Sequence, residues 1–178
     1  VLEIVNNANK AIHEDEINKN LRKSKVSSTI IHWINYLITN NKIFRVGPKL
    51  YFSKEKAIKM CDENLVKSSL DNLMNRFKFI SDNYITKYVN DELNYSFSSY
   101  YYDSLISYLS NKHGLNYANG FLSKTSDKIS IGEIVDNYFD NKKSIINNYK
   151  FIFNEHKIAI TKVQLDSTLW NYRDSITR

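Results

Sequence analysis

The sequence predicts a mainly α-helical fold with small β-hairpins, and three observations carry that expectation. Proline and glycine are scarce, one and four among 178 residues, which disfavours a large all-β sandwich with its many tight turns. Apolar residues recur at helical spacing along most of the chain, and serines stand just before several of these runs, where a helix needs a cap. Hydrophobic residues make up 42% and charged residues 25%, enough to bury a core and too apolar for a disordered chain.

The elements follow in order. Leu2, Ile4, Val5 and Ala8 give the apolar stripe of a first helix, and Ala11-Ile12 a brief extended segment. Glu14-Asp15-Glu16 places acids in the first turn of a second helix, whose Ile17 and Leu21 are spaced to face a core. Arg22-Lys23-Ser24-Lys25 ends it with positive charge and supplies a turn. Ser27 or Ser28 then caps a third helix running to about Asn41, with Ile30, Ile34, Leu37 and Asn41 on one face and Ile31 and Ile38 bordering it. Trp33 is expected in the core or between modules. Lys42–Val46 and Lys49–Phe52, two β-prone runs about Gly47-Pro48, read as a hairpin with Arg45 and Lys49 flanking its tip. Helix, helix, turn, helix, hairpin is the order of a winged helix-turn-helix.

Charge sharpens the expectation. Residues 1–60 hold eleven Lys/Arg against five Asp/Glu, a net of +6, whereas residues 61–178 hold fourteen of each. The whole excess lies in the first third, as expected of a polyanion-facing module joined to a neutral one. A helix fits the major groove of duplex DNA, and short polar side chains near its start reach base edges. The candidate contacts are therefore Ser28, Thr29, His32, Asn35 and Tyr36 on the third helix. Lys23 and Lys25 in the turn, with Arg45 and Lys49 on the wing, would neutralise phosphates.

The stretch from Val26-Ser27-Ser28-Thr29 through Lys49-Leu50-Tyr51-Phe52 resembles the winged-helix head of abortive-infection antitoxins and related bacterial transcriptional regulators. The likeness lies in a serine-led recognition helix and a wing ending in tyrosine, and it covers residues 10–53 only. The resemblance implies autoregulatory operator binding through the positions just named.

A charged segment, Ser53 to Glu63, reads as a helical linker. Leu65 to Phe77 recur at helical spacing, Ser81 or Asp82 caps a helix to about Leu93, and Ser96 or Ser98 caps another to Lys112, stopped at His113-Gly114. Leu115–Tyr117 and Phe121–Ser123 flank Ala118-Asn119-Gly120 as a short hairpin. The winged-helix order thus recurs at an offset of roughly 70 residues, with Ser98-Ser99 matched to Ser27-Ser28 and Asn119-Gly120 to Gly47-Pro48. Its third helix exposes Tyr100, Asp103 and Ser107, with Tyr101, Tyr102, Leu105 and Leu109 nearer the core side, and a carboxylate is repelled by phosphate. The cluster Tyr95, Tyr100, Tyr101, Tyr102 and Tyr108 suits either a protein interface, including a homodimer through this module, or a core. The organisation expected is residues 1–60, 61–126 and a helical 127–178, the last an incomplete third winged helix or helices packed on the second.

Nothing in the pattern points to catalysis. His13, His32, His113 and His156 are scattered, no glycine-rich phosphate loop exists, and no cofactor is expected. Asp136 and Asp140, at i and i+4, are the one pair that could share a helix face and hold a metal, though such pairs are mostly solvated surface. Cys61, the single cysteine, fits a reducing cytosol, and no apolar run approaches membrane-spanning length. The sequence reads as a cytoplasmic, dimeric, double-stranded-DNA-binding transcriptional regulator of a low-GC bacterium or mobile element, not an enzyme. The alternatives are a plasmid or phage replication initiator and a winged-helix protein scaffold.

Overall fold

A computed structural model describes residues 1–22 and 30–176 of the chain. Over these residues the protein is mainly helical with two small sheets. The first six elements are α1 (Leu2–Asn7), β1 (Ile12–His13), α2 (Glu14–Arg22), α3 (Ile30–Thr39), β2 (Ile43–Gly47) and β3 (Leu50–Ser53). All three strands are antiparallel neighbours in the order β1-β3-β2, with Ile12 opposite Tyr51 and Arg45 opposite that same residue on the other side. The apolar spacing works as expected: Val5, Ile12, Ile17, Ile34, Leu37 and Ile43 converge in one buried cluster.

The same order returns after the short α4 (Lys54–Ile58), in α5 (Glu63–Arg76), β4 (Phe79–Ser81), α6 (Asp82–Leu93), α7 (Ser99–His113), β5 (Asn116–Ala118) and β6 (Phe121–Ser123). Here too the third strand lies between the other two, β4-β6-β5. One hydrogen bond repeats with the topology. Glu14 N donates to Lys49 O at 2.9 Å, and Asp82 N donates to Gly120 O at the same distance. That bond corrects the expected alignment of the two turns. Asn119-Gly120 matches Pro48-Lys49, not Gly47-Pro48, because Gly47 is still in strand β2 after a shift of register between Arg45 and Gly47.

Local capping explains where the helices of the second unit begin and end. Asp62, Ser81 and Ser98 each accept backbone N–H groups of the first turn that follows them. Asn94 and Gly114 close α6 and α7 in the left-handed conformation, which glycine adopts freely and asparagine tolerates.

The remaining elements are α8 (Ile131–Tyr138), α9 (Ile145–Asn154), β7 (Ile158–Ala159) and α10 (Lys162–Ile176). Strand β7 pairs in parallel with β4, extending the second sheet to β5-β6-β4-β7. Alternation along the strands then buries both faces of that sheet. Ile80 and Leu122 point into the core built by α5, α6 and α7, while Phe79 and Phe121 point into a second core formed with α8, α9 and α10. Residues 127–176 therefore pack on the second unit through a shared sheet.

Strand β2 joins the first unit to the second by the same device. Ile43 faces the first unit's cluster, and its neighbour Phe44 enters the core of α5–α7, where its ring sits 6.3 Å from Tyr101. Ala57 of α4 is fully buried there as well, and Tyr101 donates its hydroxyl to the Ala57 carbonyl at 2.9 Å. The charged segment 53–63, read as a linker, is thus a packed joint.

Candidate nucleic-acid interface

Helix α3 buries Ile34 and Leu37 and leaves His32, Asn35 and Tyr36 in solvent on the other side. A 3.6-residue repeat with an apolar stripe of this width produces that division. Tyr36 is 55% exposed. Trp33, expected inside, is 51% exposed, and Ile31 59%. Trp33 lies near the boundary of the apolar stripe, and the core beneath is already filled by Ile30, Ile34, Leu37 and Ile38. The rings of Trp33 and Tyr36 meet edge to face, with centroids 6.1 Å apart and planes at 81°.

Lys49 sits exposed at the tip of the β2–β3 hairpin, its backbone in the left-handed region at φ 53° and its carbonyl held by Glu14 N. Lys42, at the carboxyl end of α3, is exposed too. Lys23, Lys25, Ser28 and Thr29 lie outside the described residues.

Arg45 departs from the expectation. It occupies the middle of β2, not the hairpin tip, and its guanidinium stacks on Tyr100 of α7 with 4.1 Å from Cζ to the ring centre. Its backbone is also engaged, for Arg45 N donates to Ser104 Oγ at 3.0 Å and Ser104 Oγ donates to Arg45 O at 3.3 Å. Ser98 Oγ adds a bond to Val46 O at 2.8 Å. The strand therefore lies along α7 and covers the side on which Tyr100 and Ser104 stand.

Helix α7 buries Tyr101, Tyr102, Leu105 and Leu109 on the side expected to face the core, but its other side is not free: Tyr100 is covered by Arg45, and the Asp103 carboxylate accepts from Tyr117 Oη at 2.5 Å. Burial and the adjacent Asp103 push the Tyr117 phenol well above its ordinary range. The tyrosine cluster is used largely inside the chain, with Tyr95, Phe97, Tyr101 and Tyr102 in mutual ring contact. Only Asn111, Lys112 and His113, at the end of α7, are exposed.

The cations of the first unit divide by use. Lys56 Nζ donates to Asn6 O in the last turn of α1 and to Ala8 O just beyond it, and Lys54 lies over Tyr108. Lys10, Lys19, Lys42, Lys49 and Lys59 stand in solvent. At the hairpin's base, Tyr51 Oη donates to Glu14 at 3.3 Å, and burial with that carboxylate raises the phenol's pKa.

Asp136 and Asp140 do not share a helix face, because α8 ends at Tyr138. Asp140 instead lies in the following turn, held through its backbone by Asn148 and paired with Lys143 at 3.5 Å. Among the described residues no group of three His, Cys, Asp or Glu side chains is placed to hold a metal ion, and no helix is long and apolar enough to cross a membrane. Sequence reasoning missed Trp33 as a surface residue and Ser98, Tyr100 and Ser104 as a docking face. The signal for the latter was present in α7, whose apolar residues run almost all round the helix. Comparison with known proteins finds no matching family model, no matching curated protein and no matching solved structure.

Proposed function

We propose that the chain binds nucleic acid through its first unit, with α3 as the helix that enters the duplex major groove and Lys49 at the tip of a wing. The observation that carries this reading is the outer side of α3, on which His32 and Asn35 stand uncovered beside Trp33 and Tyr36, in the unit that holds the chain's whole charge excess. The element order, with the third strand between the other two, is that of a winged helix, and its recurrence supports a tandem pair. Only the first copy offers its third helix to a partner. The second has its own covered by β2, which suits a scaffold that holds the first unit rigidly. A binding role as a transcriptional regulator, and not catalysis, is the form of the reading we favour.

Binding of the full chain to a labelled duplex, followed by anisotropy at rising salt, tests it. Affinity should fall steeply with salt. Lys23→Ala, Lys42→Ala and Lys49→Ala should each reduce the slope of log K against log salt by about 0.9 for each phosphate that is no longer neutralised. Absence of salt-dependent binding to any duplex would overturn α3 as a groove helix, and absence of binding to any nucleic acid would overturn the reading as a whole.

A further inference from the structure

The charged groups of the first unit account for attraction to phosphate, but they leave the exposed rings of α3 unexplained. A tryptophan and a tyrosine, each more than half exposed, cost hydration unless something covers them. They stand beside His32 and Asn35, the residues proposed to face the groove, and exposed Lys42 follows at the end of the helix. Any occupant of this face must tolerate a module of net charge +6 over residues 1–60. An anionic partner with flat apolar surfaces meets both demands.

A fully paired duplex offers its major groove hydrogen-bonding edges and thymine methyl groups, while its base faces are covered by stacking. Rings on a groove helix would find no face there to stack upon. The geometry of the pair adds a second constraint. Their centroids are 6.1 Å apart and their planes nearly perpendicular, whereas successive bases of a B-form strand lie parallel at about 3.4 Å. Two bases lying on these rings must be unstacked from each other.

Resting on the nucleic-acid reading, we propose that Trp33 and Tyr36 form a stacking platform for unpaired bases. The preferred ligand is then a nucleic acid with a single-stranded stretch, and the platform receives splayed bases while exposed Lys42 meets the backbone. The face is sequence-tolerant, since every base has a face to stack.

The test uses the full chain carrying Trp170→Phe, which leaves Trp33 as the sole tryptophan. Oligothymidylate and a duplex of the same length are titrated separately, following tryptophan emission and anisotropy of a labelled strand. The single strand should quench Trp33 and bind more tightly. Trp33→Ala should weaken single-strand binding about tenfold and change duplex binding less than twofold. Tyr36→Ala should weaken single-strand binding about tenfold and by more than it weakens duplex binding, and Trp33→Phe should restore most of the first loss. Salt-dependent duplex binding with no single-strand preference and no effect of either alanine would sink the platform and leave the nucleic-acid reading standing. Binding to neither ligand would remove both. Self-association abolished by Trp33→Ala would show that a second copy of the chain covers the face, which also overturns the proposal.

Discussion

The guanidinium of Arg45 lies 4.1 Å from the centre of the Tyr100 ring, joining the middle of β2 in the first unit to the start of α7 in the second. A contact of this kind contributes about 0.5–2 kcal/mol, more as it is withdrawn from water, and the arginine stem covers apolar surface besides. Arg45→Ala should therefore lower the stability of the whole chain by about 1–2 kcal/mol in denaturant unfolding. It should leave the salt dependence of nucleic-acid binding unchanged. A flattened salt slope with unaltered stability would show the arginine to be a phosphate contact after all.

The order of the elements was legible because its signals are local. Serines before apolar runs, acids in first turns, Gly114 and Asn119-Gly120 each specify a helix start, a helix stop or a turn within a few residues. The use of Arg45 was not legible, because its partner Ser104 lies 59 residues along the chain. A cation in a β-hairpin looks the same in sequence whether it meets a phosphate or a tyrosine. Trp33 failed for a related reason: at the border of an apolar stripe, burial depends on what the rest of the fold has already placed beneath it. The candidate site was thus half legible. His32, Asn35, Tyr36 and Lys49 stand exposed, and Arg45 belongs to the joint.

Ser104 makes the joint sensitive to the loss of one oxygen. It is 3% exposed, and its Oγ both accepts from Arg45 N and donates to Arg45 O. Ser104→Ala should leave that N–H and C=O without this partner in a partly buried interface, at a cost of about 1–2 kcal/mol. The expected sign is faster exchange of the Arg45 amide in hydrogen–deuterium measurements. Unchanged protection there would contradict it.

Asn148 holds the turn between α8 and α9. Fully buried, it accepts from Asp140 N at 2.8 Å and donates through Nδ2 to Asp140 O at 2.9 Å. Asn148→Ala should cost about 1–3 kcal/mol, since the partly buried backbone groups it serves lose their partner. A cost below roughly 0.5 kcal/mol in urea unfolding would mean that water replaces the amide without penalty.

Alkaline pH should unfold the chain through its buried phenols. Tyr101, Tyr102 and Tyr117 have pKa values raised above 10, chiefly by burial, which disfavours the phenolate. The native state keeps these protons at a pH where the unfolded chain has released them, so stability is fully present below about pH 10 and falls as pH rises beyond it. Each such tyrosine steepens the fall by up to about 1.4 kcal/mol per pH unit. Tyr102→Phe isolates one contribution with little collateral damage, because Asn90 Oδ1, which accepts the Tyr102 hydroxyl, also accepts from Phe97 N. The variant should therefore show a shallower alkaline slope at nearly unchanged neutral stability. If ultraviolet titration instead found all 13 tyrosines ionising near pH 10 in a chain that stayed folded, burial of these phenols would not be governing the transition.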